Sequence, residues 1–529
     1  MDFSTSFRTR PFYRRLVGRL VPILLLCSSG WIVVCQAAEK NSSYFAALES
    51  ITASGLAQDV DYLADAALEG REAGTRGGRA AGDYLAERLA KLHLRGGGVD
   101  GGFLQQFGRN FRNVLALLDG SDPQLGRQVI IVGAHYDHVG YGNPRNSRGP
   151  VGYIHPGADD NASGSSAVLK LAEAFTLLPE QPKRSILFLL FDAEEKGLLG
   201  SQYWTAHPTI PLEHVAAMLD MDMIGRLRNG RLVVYGTRSG SGLRRLVSQQ
   251  NDPFGLLLEF SWTLVDDGDH YPFFVHGIPV LLFHTGVHDE YHSPRDLSKL
   301  INSEGMSRVV RLIFATVYEL ADCPQVPKVR KTANREAEET RKVLFGQVPK
   351  LPDRLGITWL PELGPVEGVR VLRVAPGSPA EKAHFQAGDR IVRFAGREIR
   401  SDADLIGAVR GAENPTVAFV RRLGQQQPLE LSVQLDGSPL RLGITWRTDD
   451  AEPGAVILTY VVPGSPAAEA GLQTGDRIYQ VAGQDFADEI RFAELVKSAS
   501  DTVELLVERD GRQQIVVLHL AAGRLRRAA

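Results

Sequence analysis

Five short clusters of acidic residues and histidines lie in the first part of the chain, and these side chains bind metal ions through oxygen and nitrogen. The clusters are His135-Tyr136-Asp137-His138, Asp159-Asp160-Asn161, Asp192-Ala193-Glu194-Glu195, Asp220-Met221-Asp222 and His288-Asp289-Glu290-Tyr291-His292. Taken singly, a histidine after a strand is more often a loop or core residue than a ligand, and an aspartate before a helix is usually an N-cap. Five clusters together favour one shared metal site. Histidine and carboxylate ligands without a thiolate suit hydrolytic zinc, although cobalt or manganese also fits.

The elements around these clusters explain how the clusters would meet. Apolar runs predict strands at 129–134, 185–191, 214–219 and 278–283, and one cluster follows each strand. Apolar residues at helical spacing predict a helix over 165–178, directly after the remaining cluster. Strands that alternate with helices indicate an α/β fold with a mostly parallel central sheet flanked by helices. Such sheets bind ligands outside the carboxyl ends of their strands, so the clusters are expected to converge.

Two other hydrolase designs are poorly supported. The sequence has no His-Glu-x-x-His segment, which is the motif of single-zinc helical proteases. It also has no Gly-x-Ser-x-Gly elbow, so a serine hydrolase is disfavoured.

The order and spacing of the clusters resemble the M28 family of co-catalytic zinc peptidases over about residues 50–321. The resemblance rests on His135-Tyr136-Asp137, on the segments at 157–164, 192–201 and 222–225, and on Tyr291-His292-Ser293-Pro294. The family contains secreted bacterial aminopeptidases and glutamate carboxypeptidase II-like enzymes. The resemblance therefore implies the fold of the zinc exopeptidases and two Zn²⁺ ions per chain.

The resemblance also implies how the metal ions are held. Asp160 would be the carboxylate that bridges the two zinc ions. His135 and Asp222 would complete one zinc site, and the other would be completed by Glu195 and His292. Two zinc ions held in this way can activate a water molecule and polarise the scissile carbonyl group.

Three further residues would take part in the reaction or support the ligands. Glu194, beside a metal-binding glutamate, would be the general base, a role that needs a pKa near the working pH. Asp137 would orient the imidazole of His135 from behind. Tyr291 would donate a hydrogen bond to the tetrahedral oxyanion, although simple packing of its ring is an equally good explanation.

Four neighbouring residues are expected not to bind metal. His138 and His155 flank a long loop at 139–156 that is predicted to border the cleft. Asp159 and Asp220 are expected to be local capping or strand-end groups.

A repeat with an offset of 87 residues occupies the rest of the chain. Its matched blocks begin at Leu355, Pro376 and Gly388 and recur at Leu442, Pro463 and Gly475. They predict two copies of one small domain, the first copy at 353–436 and the second copy at 437–522, after a charged, proline-bounded linker at 322–352. His384 stands where the second copy has Gly471, so a left-handed backbone there would strain the first copy.

The two copies resemble bacterial PDZ domains, which are small and β-rich. The resemblance implies that Leu355-Gly356-Ile357 and Leu442-Gly443-Ile444 add a peptide strand and bind its C-terminal carboxylate. Arg354 and Arg441 precede these loops and are placed to assist. The alternative is that one or both copies only pack between domains.

The composition limits the class of protein. The chain has 529 residues, a formal net charge of −3 and three cysteines. So few cysteines exclude a disulfide scaffold, and the near-neutral charge gives no footprint for nucleic acid. Residues 1–37 combine arginines, an uncharged run and small residues, which is typical of a signal peptide, or of an N-terminal anchor if the segment is retained. We therefore expect export to the periplasm or the cell exterior, with membrane association only through a retained anchor.

Together these features predict an exported dinuclear zinc metallopeptidase domain at 38–321, followed by two copies that bind peptide termini or partner proteins. The expected reaction is release of N-terminal residues from a peptide or protein substrate. Among enzymes, the alternative is a carboxypeptidase or another amide hydrolase on the same scaffold. The alternative from another class is a non-catalytic peptide-binding protein, against which an intact Glu194 argues.

Overall fold

The computed structural model describes residues 41–360, 367–499 and 501–520, all of which belong to one unit of the chain, Val33–Ala529. The segment at 1–37, predicted to be a signal peptide or an anchor, lies outside the described residues. Within them, no helix is both long enough and apolar enough to cross a membrane.

A mixed sheet forms the centre of the amino-terminal domain. Its strands are β1 (Arg95–Gly96), β2 (Leu104–Phe107), β3 (Phe111–Leu118), β4 (Val129–His135), β5 (Ser185–Phe191), β6 (Val215–Met221), β7 (Arg231–Tyr235), β8 (Leu257–Phe260) and β9 (Val280–His284). Their order across the sheet is β1-β3-β5-β4-β6-β9-β7-β8, and β2 pairs with β3.

The centre of this sheet is parallel. The four adjacent strands β5-β4-β6-β9 run in one direction, whereas β3 and β7 pair antiparallel with β5 and β9. Every residue of β4, β5 and β6 is buried, because helices cover both faces of the central strands. The predicted α/β fold and all four predicted strands are confirmed, with ends that differ from prediction by at most two residues.

Helices connect many of the strands and pack on the faces of the sheet. They are α1 (Ser42–Ser50), α2 (Ala53–Leu63), α3 (Arg76–Ala90), α4 (Gly164–Thr176), α5 (Leu199–Ala206), α6 (Leu243–Asn251), α7 (His270–Val275) and α8 (Ser303–Asp322). Helix α4 is the one predicted at 165–178, and it packs against β4 and β5. The amphipathic helix α8 packs against α2 and β4.

The segment predicted to be a linker is partly structured. It contains a 3₁₀ turn at Lys331–Arg335 and the helix α9 (Glu338–Gly346). The Glu336 carboxylate accepts a hydrogen bond from Arg330 Nη2 at 2.8 Å and pairs with Arg238 of the amino-terminal domain. The segment is therefore attached to that domain at its middle.

The two copies have the same strand order, as expected of a repeat. The first copy contains β10 (Ile357–Trp359), β11 (Val369–Val374), α10 (Pro379–Lys382), β12 (Arg390–Phe394), β13 (Arg397–Glu398), α11 (Asp402–Gly411), β14 (Thr416–Arg421) and β15 (Leu429–Val433). The second contains β16 (Ile444–Arg447), β17 (Val456–Val461), α12 (Pro466–Glu469), β18 (Arg477–Val481), β19 (Gln484–Asp485), α13 (Glu489–Ser498), β20 (Thr502–Arg509) and β21 (Arg512–His519). Both sheets are antiparallel, and β10 and β16 are edge strands. His384 and Gly471 both have left-handed backbones, with φ of +65° and +78°, so the first copy bears the predicted strain.

The second copy, although later in the chain, contacts the amino-terminal domain. The Leu258 amide donates to the Asp510 carbonyl at 2.9 Å, and the Gly242 amide donates to the Ala451 carbonyl at 2.9 Å. The first copy in turn contacts the second, where Arg397 Nη1 donates to the Gly464 carbonyl at 2.9 Å. The second copy thus stands between the amino-terminal domain and the first copy at these contacts.

Candidate active site

The predicted ligands meet at the carboxyl ends of the parallel strands. His135 is the last residue of β4, Asp222 directly follows β6, and Glu195 follows β5. His292 lies in the loop after β9, and Asp160 lies in the irregular turn that opens α4. We call seven side chains the metal cluster: His135, His138, Asp160, Glu194, Glu195, Asp222 and His292.

One group of ligand atoms forms around His135. Its Nε2 atom lies 3.3 Å from Asp222 Oδ1 and 3.5 Å from Asp160 Oδ1. Donor atoms bound to one tetrahedral zinc at ordinary bond lengths are about 3.3 Å apart. The three side chains therefore have the separations of ligands to a single ion.

A second group forms around the other oxygen of Asp160. His292 Nε2 lies 3.0 Å from Asp160 Oδ2 and 3.2 Å from Glu195 Oε1. His138 Nδ1 lies 2.8 Å from the same Glu195 oxygen. Because each Asp160 oxygen faces a different group, this carboxylate has the geometry of a bridge between two metal ions. The roles of the five predicted ligands stay predictions, and their side chains fit them.

The charge of the metal cluster also fits two divalent cations. With neutral imidazoles, its four carboxylates carry four negative charges inside a largely buried pocket. Burial raises the pKa of Glu194 well above its ordinary value. Burial acts in the same direction on Glu195, but hydrogen bonds with His138 and His292 hold its pKa well below the usual range. Burial lowers the pKa of His292, yet its hydrogen bonds with Asp160 and Glu195 raise it to about 10.

Asp137 contacts both the predicted ligand His135 and the predicted base Glu194. Asp137 Oδ1 accepts the Glu194 amide at 3.0 Å, so this carboxylate fixes the backbone of the predicted base. His135 Nδ1 lies 3.3 Å from the Asp137 backbone carbonyl and 3.8 Å from its carboxylate. Asp137 therefore contacts His135 more closely through its backbone than through its side chain.

The loop at 139–156 supports His292 and Tyr291. The Asn146 carbonyl lies 2.8 Å from His292 Nδ1, which leaves Nε2 for the metal cluster. The Tyr291 ring stacks on His292 with centroids 3.9 Å apart, and the Arg148 guanidinium lies 4.5 Å from the Tyr291 centroid. Burial raises the pKa of the Tyr291 phenol far above its ordinary value. Its role as oxyanion donor stays a prediction.

Two supporting residues escaped the sequence reasoning. Arg71 is fully buried, and its guanidinium donates to the carbonyls of Leu63, Tyr136, Pro156 and Gly157 at 2.6 to 2.9 Å. It ties the chain before His138 to the chain before Asp160. Asp296 Oδ2 accepts the amides of Asp159 and Asp160 at 2.9 and 3.1 Å. Neither residue lies in one of the five clusters from which the site was predicted.

Of the four residues expected outside the metal site, three lie outside the two ligand groups and one lies inside a group. Asp159 accepts the Gly225 amide at 2.6 Å, and Asp220 accepts the His270 amide at 3.0 Å, so both carboxylates hold backbone that is distant in sequence instead of capping locally. His155 Nε2 lies 2.8 Å from Ser147 Oγ, within the loop. His138 was expected to lie apart from the ligands, but it lies inside the second group. A lone histidine in sequence gives no signal that separates these cases.

The arginines before the two PDZ-like loops donate hydrogen bonds to backbone carbonyls. Arg354 Nη1 donates to the Val409 and Ala412 carbonyls at 2.8 and 2.9 Å. Arg441 donates in the same way to the Val496 carbonyl at 3.0 Å. Both guanidinium groups thus lie at the carboxyl end of a helix, α11 or α13, where they satisfy unpaired carbonyls. Arg354 also lines the groove of the first copy, so its role at the loop stays a prediction.

The loops themselves differ between the copies. Gly356 and Gly443 have left-handed backbones, with φ of +78° and +77°. In the first copy, Asp353 Oδ1 accepts the amides of Leu355 and Gly356 at 3.1 and 2.9 Å. In the second copy, the Gly443 amide donates to the Leu440 carbonyl at 2.9 Å. A carboxylate therefore already occupies the loop of the first copy.

Each copy has a groove between its edge strand and its longer helix. The groove of the first copy has a volume of about 250 Å³. Its lining includes Ile357, Val409 and, from the second copy, Tyr460. The groove of the second copy is an open surface that includes Trp446 and Ile490, whose side chain is 68% exposed.

Comparison with known proteins agrees with the sequence resemblance. Residues 113–317 match the model of Peptidase family M28, and residues 370–421 and 457–509 each match the model of the PDZ domain. Aminopeptidase YwaD of Bacillus subtilis is 30% identical over 213 residues, which cover 38% of this chain and 43% of that protein. Leucine aminopeptidase 1 of Trichophyton rubrum is 32% identical over 158 residues, which cover 28% of this chain and 40% of that protein.

A solved structure of Legionella pneumophila LapA aminopeptidase superposes with a TM-score of 0.46 and 21% sequence identity, over 55% of this chain and 78% of that one. The matched residues cover less than half the length of each of the two curated relatives. The predicted resemblance to an M28 peptidase domain with two PDZ domains is confirmed.

Proposed function

We propose that the chain, with an M28 peptidase domain and two PDZ domains, is a zinc-dependent metallo-aminopeptidase that hydrolyses the first peptide bond of its substrates. The observation that carries the proposal is the position of Asp160, whose two oxygens face two separate groups of ligands. Glu194 lies beside one of these groups, with Oε2 at 4.0 Å from His135 Nε2. The two curated relatives described above are named as aminopeptidases.

The chain's own residues provide the binding and proton-transfer steps. Two zinc ions, held by His135, Asp160, Asp222, Glu195 and His292, would lower the pKa of a water molecule and polarise the scissile carbonyl. Glu194 takes the proton of that water and returns it to the leaving amine. Burial raises its pKa well above the ordinary value, which favours uptake of the proton. The hydrogen bond from its amide to Asp137 keeps the carboxylate turned toward the ligands.

Tyr291 stabilises the oxyanion that forms when the water attacks the carbonyl carbon. Its raised pKa keeps the phenol protonated and able to donate a hydrogen bond. The ring is held by stacking on His292 and by the guanidinium of Arg148. Stacking fixes the ring plane, so the hydroxyl is ordered before the substrate binds.

One observation favours the second candidate, a carboxypeptidase or another amide hydrolase. Arg148 is exposed beside Tyr291, and a guanidinium in that position can pair with a substrate carboxylate. Peptides with a free or an acetylated N-terminus separate the two candidates. An aminopeptidase cleaves only those with a free N-terminus, whereas cleavage restricted to free C-termini would favour the carboxypeptidase.

The experiment that tests the proposed reaction replaces Glu194 with Gln and follows release of the N-terminal residue from short peptides. We expect kcat to fall by about 10²- to 10⁴-fold, while bound zinc is unchanged, because Gln cannot accept the proton. Glu213→Gln is the matched control, since Glu213 is an exposed glutamate in a surface turn. Equal rates in the Glu194 variant and the control would rule out this mechanism, whereas no hydrolysis by the wild type would favour a non-catalytic peptide-binding protein.

We further propose that the groove of the second copy binds the C-terminus of a peptide or partner protein. The exposed apolar surface around Trp446 and Ile490 supports this assignment, as does the loop Leu442-Gly443-Ile444 beside the edge strand β16. In the first copy, the carboxylate of Asp353 at Leu355-Gly356-Ile357 would repel a terminal carboxylate. Trp446→Ala is therefore expected to weaken binding of a labelled peptide with a free C-terminus, and Trp359→Ala is the matched control. Equal effects would contradict the difference between the copies.

For location, we propose export to the periplasm or the cell exterior, with membrane attachment only if residues 1–37 are retained. The support is the sequence of that segment, with its arginines and its uncharged run. N-terminal sequencing of the protein from its native host distinguishes cleavage from retention.

A further inference from the structure

His138 is the one member of the metal cluster, apart from the predicted base Glu194, that lies outside the five predicted ligands. Its side chain is completely buried. Its Nδ1 atom lies 2.8 Å from Glu195 Oε1 and 3.7 Å from Asp160 Oδ2. Its ring is nearly perpendicular to that of His292, with an interplanar angle of 84° and centroids 5.4 Å apart. Both imidazoles thus point a nitrogen at the same two carboxylates.

The four atoms of this group have the separations of a tetrahedral shell. His138 Nδ1, His292 Nε2 and the two carboxylate oxygens lie 2.8 to 3.7 Å apart in the measured pairs. Zinc bound to nitrogen and oxygen at about 2.0–2.1 Å requires about 3.3 Å between its ligand atoms. The measured separations lie on both sides of that value.

We propose that His138, through Nδ1, is a fourth protein ligand of the zinc ion held by Asp160, Glu195 and His292. This inference rests on the metal centre proposed above. It makes the two metal sites unequal, because the second group then has four protein ligands and the group around His135 has three. A four-ligand zinc site is closed, whereas a three-ligand site keeps a position open for water.

The backbone and packing around His138 hold the imidazole in this position. Its amide donates to the Arg71 carbonyl at 3.2 Å, and the Arg71 side chain fixes the adjoining Tyr136 carbonyl. Gly157, with φ of +56°, lies against the ring, and a Cβ atom there would clash with it. The ring is thus confined between fixed backbone segments, so the chain presents Nδ1 to the cluster before any ion binds.

The competing explanation is that Nδ1 carries a proton and donates it to Glu195 as a hydrogen bond. In that case His138 is a positioning residue and does not touch the metal ion. The Nε2 atom does not discriminate, because it has no hydrogen-bond partner among the described residues in either case. The distance to Asp160 as well as Glu195 favours a ligand, since a single hydrogen bond requires only one acceptor.

The unequal sites have a measurable consequence. The zinc in the closed site should leave more slowly and bind more tightly than the zinc beside His135. A weak chelator is therefore expected to remove one zinc ion from the full-length protein and leave a one-zinc form. In that form, X-ray absorption at the zinc edge should count two imidazole ligands, His138 and His292.

The test compares three variants with the wild type: His138→Ala, His138→Gln and His155→Ala. We expect His138→Ala to lose one imidazole from the absorption spectrum and to weaken the tighter zinc by at least about tenfold. His138→Gln can still donate a hydrogen bond to Glu195, so the ligand role predicts no recovery of the imidazole count or of the zinc affinity. His155→Ala is the matched control, because His155 is a buried histidine outside the ligand groups and should change neither quantity.

Two outcomes would overturn the inference. One is an unchanged imidazole count in His138→Ala, and the other is full recovery of zinc affinity in His138→Gln, which would make His138 a positioning residue. If His138→Ala does not fold, the glutamine variant and the wild-type imidazole count still decide. A chain that binds no zinc at all would contradict the proposed metal centre itself, which is a separate failure.

Discussion

Two buried clusters of charged side chains, the metal cluster and a second one, differ in how their charge is balanced. We call the second one the junction; it lies between the amino-terminal domain and the second copy, and it consists of Arg238, Arg244, Asp449, Glu452, Arg477 and Glu508. In the junction, Arg244 Nε lies 2.9 Å from Glu508, and Arg477 Nε lies 2.8 Å from Glu452. Its three arginines meet three carboxylates, whereas the carboxylates of the metal cluster face only imidazoles.

The pKa of one buried carboxylate in each cluster, Glu452 in the junction and Glu194 in the metal cluster, is shifted in opposite directions. In the junction, burial would raise the pKa of Glu452, but Arg477 and Arg244 hold it down at about 2. In the metal cluster, burial dominates and raises the pKa of Glu194 well above its ordinary value. A buried cluster that pairs arginines with carboxylates joins two surfaces, whereas one with more carboxylates than imidazoles can accept cations from outside. The comparison therefore separates a structural site from a reactive one without reference to any relative.

Removal of the metal ions should have the largest effect, and only on the metal cluster. We expect a strong chelator to abolish peptide hydrolysis and to destabilise the amino-terminal domain by about 4 kcal/mol per site if zinc had been present at 1,000 times its Kd. Thermal unfolding with and without zinc measures this change. Hydrogen exchange at the Leu258 amide through local opening of the junction should change less than the stability of the domain. Equal loss of protection there would mean that the two clusters are coupled.

Breaking one pair in the junction should have the next largest effect. Arg244→Met leaves Glu508 buried without its partner, which costs about 3–5 kcal/mol. The Leu258 amide should then exchange at least about 100-fold faster, while turnover of short peptides is unchanged. The double variant Arg244→Met with Glu508→Gln should recover much of this protection, because the charge is balanced again. No recovery would mean that the junction does not depend on charge balance.

The stability of the junction should also depend on pH. The pKa of Glu452 falls from its ordinary value of 4.5 to about 2 on folding, so its contribution is present above pH 4.5 and is lost as the pH falls toward 2. The shift corresponds to roughly 3 kcal/mol. The difference in Leu258 protection between the wild type and Glu452→Gln should therefore shrink between pH 6 and pH 3. A difference that stays constant over that range would contradict the assigned partners.

The smallest effect is expected at an exposed pair beside the junction. Arg245 Nη2 lies 2.7 Å from Asp485 Oδ1, and the Asp485 side chain is 43% exposed. Asp485→Ala should change the stability of the contact by less than about 1 kcal/mol, because water screens the pair. The same exchange measurement at Leu258 provides the value. An effect as large as that of Arg244→Met would show that burial does not decide which pairs matter.

The meeting of the acidic and histidine clusters could be predicted from sequence, because each cluster lies at or after the end of a buried strand or before a buried helix. The choice of ligands within the clusters came from the family resemblance. Once the strands are parallel, their carboxyl ends bring distant residues together. The position of His138 beside Glu195 was not predicted, since a second histidine after one strand looks the same whether it points into the site or away from it. Asp296 was missed because a single aspartate in a loop carries no pattern.

The junction could not be predicted from sequence. Arg238 and Asp449 are separated by 211 residues and belong to different domains. Arginine and glutamate on a strand or helix are ordinarily surface residues, so nothing in the local pattern marks them as buried. The same limit explains Arg354 and Arg441, which were expected at the peptide-binding loops. Their partners are backbone carbonyls at the ends of helices, and these carry no sequence signal.

The most direct test of the two-metal centre is the number of zinc ions per chain, measured by native mass spectrometry at saturating zinc. The geometry predicts two ions in the wild type and one in Asp222→Asn, because only the group around His135 loses a ligand. The Glu194→Gln variant should still hold two. A wild-type chain that binds one zinc ion or none would contradict the proposed centre.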